Sequence, residues 1–189
     1  MLATVLRLGV LVIALSGCGG ARVHLTPPPP ASASAAERLE AFDRLKPRSM
    51  TVTTTTRNDM AIRIDSSLIL ADGTEVSSPE DLLTVVPVQS ASARAARRAV
   101  RARSWKWGGY AFAIGSFVGG LALRDNDPEA SNTLANIVMF GGAAIGALAA
   151  MHFTFRENDA RREAYVEYAP GLLQQLQLCA TGLDIHECD

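Results

Sequence analysis

Two long runs without a charged residue, 107–123 and 130–155, constrain the fold of this chain more than any other feature. A short polar segment separates them, in which Asp127 is suited to cap a helix and Pro128 to occupy its first turn. The sequence therefore predicts a helical hairpin. The first run has 17 residues, which is just enough to cross a bilayer, and the second run is longer.

Small residues recur at every fourth position in both runs, which places them on one face of each helix. They are Ala111, Gly115 and Gly119 in the first run and Gly142, Gly146 and Ala150 in the second. The pattern resembles the glycine-zipper segments of bacterial envelope proteins, and this resemblance implies close helix–helix contact. Because each interior glycine costs roughly 1 kcal/mol relative to alanine in water, a membrane is favoured. The alternative is a soluble hairpin buried against the rest of the protein.

A dense cluster of basic residues precedes the first apolar run and contains no acidic residue. Its members are Arg94, Arg97, Arg98, Arg101, Arg103 and Lys106, and it ends beside Trp105 and Trp107. Basic side chains near a bilayer attract anionic headgroups, and tryptophans favour the interface. We therefore expect this cluster to contact lipid headgroups. A solvated helix face is the alternative.

The N-terminus has the composition of an export signal, since Arg7 is followed by an apolar run too short to cross a bilayer comfortably. The next residues, Leu15-Ser16-Gly17-Cys18, resemble the lipobox of bacterial lipoproteins. That resemblance implies removal of residues 1–17 as a signal peptide and attachment of diacylglyceryl and further acyl groups, such as palmitate, to Cys18. The alternative is an ordinary cleaved signal in which Cys18 has no special role.

The lipobox and the basic residues place the hairpin differently. In the lipoproteins whose lipobox this sequence resembles, aspartate directly after the cysteine implies retention at the inner membrane. This chain has Gly19 there, which favours the periplasmic face of the outer membrane over the inner membrane. Basic residues flank both outer ends of the hairpin, which would put those ends in the cytoplasm under the positive-inside rule. Three arrangements remain: insertion from the periplasm, embedding in another membrane as an oligomer, or folding within the periplasm.

Between the lipobox and the hairpin the sequence predicts a linker and a small module. Residues 18–36 include Pro27–Pro30 and favour an extended spacer that lifts the module off the membrane, with disorder as the alternative. Residues 37–87 predict a small α+β module that is too small to bury much core and relies on the helices at 88–169.

The module has one helix, two hairpins and a short closing helix in this interpretation. The helix covers 35–46, and residues 50–57 and 60–64 are β-prone strands joined by a turn at residues 58–59. A second hairpin has strands at 68–71 and 74–76 and turns at Asp72-Gly73, a dipeptide suited to a type I′ turn. Ser78-Pro79 then predicts the capped start of a helix that runs to Val86.

Residues 170–189 predict an amphipathic helix and a disulfide loop. Pro170-Gly171 separates this helix from the preceding one, and its apolar face runs through Leu172, Leu173, Leu176 and Cys179 to a cap near Gly182. Once Cys18 is assigned to lipid, Cys179 and Cys188 remain, and an exported pair favours a disulfide. A metal site through both cysteines, His186 and Glu187 is the alternative.

The predicted fold class is α+β, mainly α, and the sequence contains no signature of catalysis. The formal net charge of −1 argues against nucleic-acid binding. Candidate catalytic residues, Asp65 with Ser66 and Ser67 or the Glu80-Asp81 pair, are common turn and cap residues, and His24, His152 and His186 are scattered. We expect neither an enzyme, nor a cofactor, nor a metal.

The expected function is that of a structural or interaction lipoprotein of the cell envelope. Its expected partners are membrane lipids and either a second copy or another envelope protein. The alternative is a soluble periplasmic binding module that is tethered only by its lipid and uses the hairpin as its own core.

Overall fold

The computed structural model describes residues 23, 25–30, 32–57, 60–126, 132–182 and 184–188. In chain order its elements are α1 (Ala35–Leu45), β1 (Pro47–Arg57), β2 (Met60–Leu70), β3 (Glu75–Val76), a 3₁₀ turn (Asp81–Thr84), α2 (Ala91–Asn126), α3 (Asn132–Asn136), a π-helical segment (Ile137–Gly142), α4 (Ala143–Val166), α5 (Tyr168–Leu176), β4 (Leu178–Thr181) and β5 (Asp184–Glu187). The fold is α+β, mainly α, as predicted. The predicted cap at Asp127-Pro128 lies outside the described residues.

The chain divides into two compact units. Within the described residues, the hairpin unit comprises 106–126 and 132–151, and the base unit comprises the described parts of 23–105 and 152–189. The base unit thus includes the first part of α2 and the last part of α4, which the sequence placed with the hairpin. They belong there because small residues such as Ala93, Ala96 and Ala164 are fully buried in its core.

Helix α1 forms because its first turn is capped and one face is buried. The hydroxyl of Ser34 accepts the backbone N–H of Glu37 at 3.3 Å, and the Glu37 carboxylate accepts the backbone N–H of Ser34 at 2.9 Å. These bonds lower the pKa of Glu37, with the backbone N–H of Ser34 as the largest cause. The buried face of the helix carries Arg38, Ala41 and Leu45.

The β-structure differs from the prediction in its division into strands. Strand β2 is a single antiparallel partner of β1 from Met60 to Leu70, where the sequence predicted two shorter strands. Its alternation of buried Ser66, Leu68 and Leu70 continues across the predicted break. The predicted turn at residues 58–59 lies outside the described residues. Strand β3 pairs with the end of β2, with Leu68 opposite Val76.

The turn between β2 and β3 is not of type I′. Gly73 has φ +86°, but Asp72 is not among the residues at positive φ, and type I′ requires both. Instead the N–H of Gly73 donates to the carbonyl of Leu70 at 3.0 Å, and the Asp72 carboxylate accepts the N–H of Thr74 at 2.9 Å. The side chain of Asp72 thus stabilises the turn without left-handed backbone at its own position.

Two other segments of the base unit correct the prediction. The helix expected from Ser78 to Val86 is only a 3₁₀ turn, Asp81–Thr84, and no side chain caps its start. Within the spacer expected at 18–36, Leu25 is buried and Val23 packs against the same core, so this part of the segment is docked on the base unit. Apolar side chains on both sides of a short polar stretch favour docking over extension into solvent.

The C-terminal segment forms a short helix and a β-hairpin. Pro170 and Gly171 lie inside the first turns of α5 rather than breaking it, since proline is tolerated at the start of a helix. The helix ends at Gln177, which has φ +54°. The predicted helix is therefore wrong beyond Leu176, and Cys179 lies in β4, paired with β5.

Candidate membrane hairpin and its base

Within the hairpin unit, two helices meet along positions where no side chain would fit. A Cβ added to Gly109 would lie 2.8 Å from the backbone nitrogen of Ala150, and one added to Gly146 would lie 2.6 Å from that of Ala113. A Cβ on Gly120 would lie 2.5 Å from the Cβ of Met139. The two backbones therefore approach each other through glycine at both ends of the contact.

Ser116 and the π-helical segment lie in the middle of this contact. A Cβ on Gly142, the last residue of the π-helical segment, would lie 2.4 Å from the Ser116 hydroxyl oxygen. Ala135, Met139 and Ala150 are buried along the same helical run. Of the predicted contact residues, Gly142, Gly146 and Ala150 lie in this interface.

On α2 the helix–helix contact within the chain uses a different face from the predicted one. Nothing lies within 4 Å of a Cβ added to Gly115 or Gly119, and Ala111 is exposed. The helix instead uses Gly109, Ala113, Ser116 and Gly120. At 3.6 residues per turn, a strict spacing of four drifts by about 40° at each step, whereas spacings of four, three and four stay within about 60°. The stripe of Gly109, Ala113, Ser116 and Gly120 is therefore straighter than the predicted one and faces about 130° away from it. A search that allowed serine and mixed spacings of three and four would have found it.

Within the described parts of the two apolar runs, the outward surface of both helices is uncharged and apolar. On α2 the large exposed side chains are Trp107, Tyr110, Phe112, Ile114, Phe117, Val118, Leu121 and Leu123. On the second helical run they are Leu134, Ile137, Phe140, Ile145, Leu148 and Met151, and the run ends with exposed Phe155 in the base unit. Their exposed fractions range from 36% to 63%, so the internal contact covers little of either helix. A helix that is apolar all round is typical of a protein core or a membrane.

By length and composition, one helix in the described part of the chain is a candidate membrane span. It is the run Thr133–Val166, and only 22% of its most apolar stretch is buried. Helix α2 does not meet the same criterion, which agrees with its shorter apolar run and its basic first half.

In the base unit, a buried ion network joins α2 to α4, before the first apolar run in the chain and after the second. One carboxylate oxygen of Glu157 accepts from Arg103 and from Arg161, each at 2.9 Å, and Arg103 also donates to Glu80 at 3.2 Å. The Glu157 side chain is 3% exposed and that of Arg161 is 12% exposed. Because buried charges are stable only when they are paired, this network fixes the two helices to each other and to the 3₁₀ turn.

Two buried tyrosines lie near the end of α4 and at the start of α5. Burial raises the pKa of Tyr165 to about 12, and the neighbouring Arg161 offsets part of that shift. Burial also raises the pKa of Tyr168, whose hydroxyl donates to the Leu45 carbonyl at 3.0 Å. The hydroxyl of Ser92 donates to the Ala164 carbonyl at 2.8 Å, which again joins α2 to α4.

Most of the basic residues predicted to contact lipid are engaged within the protein. Arg94 and Arg97 donate to the carbonyls of Gln89 and Val88 at 2.6 and 2.7 Å. Arg98 pairs with Glu163 at 2.6 Å, and Arg103 belongs to the buried network. Lys106 has a partner of its own. The sequence could not separate these roles, since acceptors such as Glu157 and Glu163 lie more than fifty residues away.

Aromatic side chains stand at the ends of the apolar runs. The rings of Trp105 and Phe153 stack with centroids 5.9 Å apart, and His152 meets Phe153 edge-on at 5.4 Å. Trp105 is 60% exposed, and Trp107 is 49% exposed. Tryptophan and tyrosine at such positions are typical of a membrane–water interface.

The C-terminal hairpin is joined to the base unit by a disulfide and an ion pair. Cys179 and Cys188 form a disulfide with Cα atoms 5.0 Å apart, as the sequence predicts. Their sulfurs are therefore not available for the alternative metal site, and no cluster of metal-binding side chains occurs among the described residues. Buried Arg38 pairs with Glu187 and donates to the Leu176 carbonyl at 3.2 Å, which holds β5 against α1.

The other described candidates from the sequence lie in the base unit. Glu80 pairs with Arg103, Asp81 is buried, and Ser66 lies buried on β2. Cys18 and His24 lie outside the described residues, so the lipidation site stays a prediction. No protein-family model matches the chain, and no curated protein or solved structure shows significant similarity to it.

Proposed function

We propose that this protein is a lipid-anchored membrane protein of the bacterial cell envelope with a structural or interaction role. In this proposal its helical hairpin is embedded in the bilayer, and its base unit stands at the surface of the same membrane. The observation that carries the proposal is the uncharged, apolar and exposed outward surface of both hairpin helices.

Burial supports a lipid environment for the hairpin. The interior contact uses Gly, Ala and Ser, and the large side chains such as Phe140, Ile145 and Leu148 point outward at more than 60% exposure. A soluble helical hairpin has the opposite arrangement, because burial of large apolar side chains stabilises it in water. In lipid, where outward apolar side chains carry no penalty, close contact through small residues is the favoured arrangement.

Length supports the same environment. At 1.5 Å per residue, run 107–123 is about 25 Å long, and the part of the second run from 133 to 155 is about 34 Å long, against a hydrocarbon core of about 30 Å. Backbone polar groups in both runs bond within their own helices, which a bilayer requires. We infer that both runs cross the hydrocarbon layer.

Two arrangements of this embedded form remain from the sequence: insertion from the periplasm and embedding as an oligomer. The unpartnered stripe of Ala111, Gly115 and Gly119 is compatible with either arrangement. The alternative function, a soluble module tethered only by its lipid, requires another surface to cover the outward side chains of the hairpin.

Membrane fractionation tests the proposal. A Cys18→Ser variant carrying an ordinary cleavable export signal is extracted with salt, with alkaline carbonate and with detergent. Retention through salt and carbonate is the expected result. Release into the soluble periplasmic fraction would show that lipid is the only anchor and would support the soluble alternative.

The lipid on Cys18 needs a separate test. We expect radiolabelled palmitate to be incorporated into the wild-type chain and not into Cys18→Ser. We also expect the wild-type mature chain to begin at residue 18 by mass spectrometry. Cleavage at another position without label would leave an ordinary signal peptide. Separation of inner and outer membranes then tests the outer-membrane location that Gly19 favours.

A further inference from the structure

Two exposed arginines stand at the base of the hairpin without partners in the described protein. Arg101 on α2 and Arg156 on α4 are exposed, and neither side chain forms an ion pair or hydrogen bond with a described residue. By contrast, Arg94, Arg97 and Arg98 on the same helix bind acceptors of the base unit. The structure therefore separates the basic residues that build the protein from those that remain for an external anion.

The heights of these two arginines are similar. Arg103 contacts Glu157 across the helix pair, so Arg156 lies nearly level with Arg103, two residues beyond Arg101. At 1.5 Å per residue the two arginines differ in height by about one helical turn or less. Arg156 directly follows the second apolar run, and Arg101 lies about 9 Å before residue 107, where the first run begins. Both positions fall where the polar headgroup layer borders a hydrocarbon core.

The aromatic residues mark the same boundary. Trp105, which stacks on Phe153, is 60% exposed between the heights of Arg101 and the apolar run. A planar guanidinium binds phosphate through two parallel hydrogen bonds. Together the arginines and Trp105 can bind the phosphate of a phospholipid whose acyl chains contact the apolar runs.

We propose that Arg101 and Arg156 form a binding surface for the phosphate of an anionic phospholipid headgroup, next to Trp105. The proposal rests on the proposed embedding of the hairpin and adds the class of lipid that surrounds its base. It replaces the six-residue cluster predicted from the sequence with two residues on two helices. The occupant is a phospholipid rather than an acidic protein surface. The arginines border the apolar runs, and a phospholipid binds the arginines with its headgroup while its acyl chains cover the apolar side chains.

Intrinsic fluorescence can test the proposal because the two tryptophans of the chain, Trp105 and Trp107, both lie at this boundary. The full-length protein is reconstituted into phosphatidylcholine vesicles. In one series a fifth of the lipid is phosphatidylglycerol with brominated acyl chains, and in the other it is brominated phosphatidylcholine. Bromine quenches tryptophan on contact, so the ratio of the two quenching constants reports local enrichment of the anionic lipid.

We expect the anionic lipid to be enriched several-fold, since each basic residue near the surface favours it by up to about fivefold. The double variant Arg101→Gln/Arg156→Gln should bring the ratio close to one. The matched control is Arg44→Gln/Arg48→Gln, which removes the same charge from exposed positions. These control positions are far from Arg156. Leu45 lies between them and its carbonyl accepts from Tyr168, which follows the end of α4, and that end is about 15 Å along the helix from Arg156.

The outcomes separate this proposal from the embedding itself. Absence of quenching by either brominated lipid would contradict the embedded hairpin. Equal quenching by both lipids in the wild type, or an unchanged ratio in the Arg101/Arg156 variant, would overturn the headgroup site and leave the embedding intact. An equal drop in the Arg44/Arg48 control would show that net charge alone attracts the lipid, which also overturns the site.

Discussion

Alanine at Gly146 and alanine at Gly115 should have opposite effects, although both are exchanges of one glycine in one helical hairpin. A Cβ at Gly146 would lie 2.6 Å from the nitrogen and 2.8 Å from the Cα of Ala113, against 3.4 Å for ordinary contact. The contacting atoms are backbone, so the helices must separate by about 0.8 Å. Such overpacking costs about 1–3 kcal/mol, less the roughly 1 kcal/mol that alanine gains in helix propensity.

At Gly115 nothing lies within 4 Å of the added Cβ. Only the propensity gain remains there, so Gly115→Ala should be neutral or stabilising by roughly 0.5–1 kcal/mol. The difference between the two variants is about 2 kcal/mol, which corresponds to roughly 4–8 °C in Tm for a chain of this size.

Thermal unfolding of the full-length variants in detergent micelles, followed by circular dichroism, measures this difference. Gly109→Ala should behave like Gly146→Ala, because its Cβ would lie 2.8 Å from the backbone nitrogen of Ala150. The reasoning is refuted if Gly115→Ala lowers Tm as much as Gly146→Ala does, since the contact would then use the predicted stripe.

Three further predictions concern the base unit. Glu157→Gln removes the charge that two arginines share in a buried site and should lower the free energy of unfolding by about 3–5 kcal/mol; a loss below 1 kcal/mol by chemical denaturation would contradict the network. The double variant Cys179→Ser/Cys188→Ser should lose about 2.5 kcal/mol, because the disulfide closes a loop of nine residues in the unfolded chain; wild type under reducing agent should match it in the same denaturation assay. Tyr168→Phe should cost about 1 kcal/mol near neutral pH. Burial raises the pKa of Tyr168 above the ordinary 10.0, so its contribution to stability is retained below pH 10 and is lost as the pH rises above 10. When Tm is measured against pH, the alkaline decrease in Tm should therefore be shallower in Tyr168→Phe than in the wild type.

The sequence predicted α1 and the two long helices of the hairpin well because their signals are local. The spacing of apolar residues in α1, the uncharged runs and the polar segment between those runs are readable without knowledge of contacts. The cysteine pair was also predictable, because exclusion of Cys18 left two candidates. The class α+β, mainly α, follows from these features.

The errors arise where tertiary contacts decide between local alternatives. Residues 170–187 contain both helix and strand formers, and the ion pair of Arg38 with Glu187 favours the β-hairpin from the other end of the chain. The interface on α2 could not be chosen from the sequence, because two stripes of small residues lie on one helix and the partner determines which is used. The docking of Leu25 likewise depends on a core that α1 and α5 supply.

Chemical labelling of two equally exposed positions tests the embedded hairpin most directly. Val88 is 66% exposed in the base unit, and Leu148 is 61% exposed on the hairpin. Each is replaced by cysteine in the Cys18→Ser background, where the disulfide protects the other two cysteines, and native membranes opened to both faces are treated with a membrane-impermeant maleimide. The account predicts labelling of Val88→Cys and no labelling of Leu148→Cys. Equal labelling of both would place the hairpin surface in water and contradict the account.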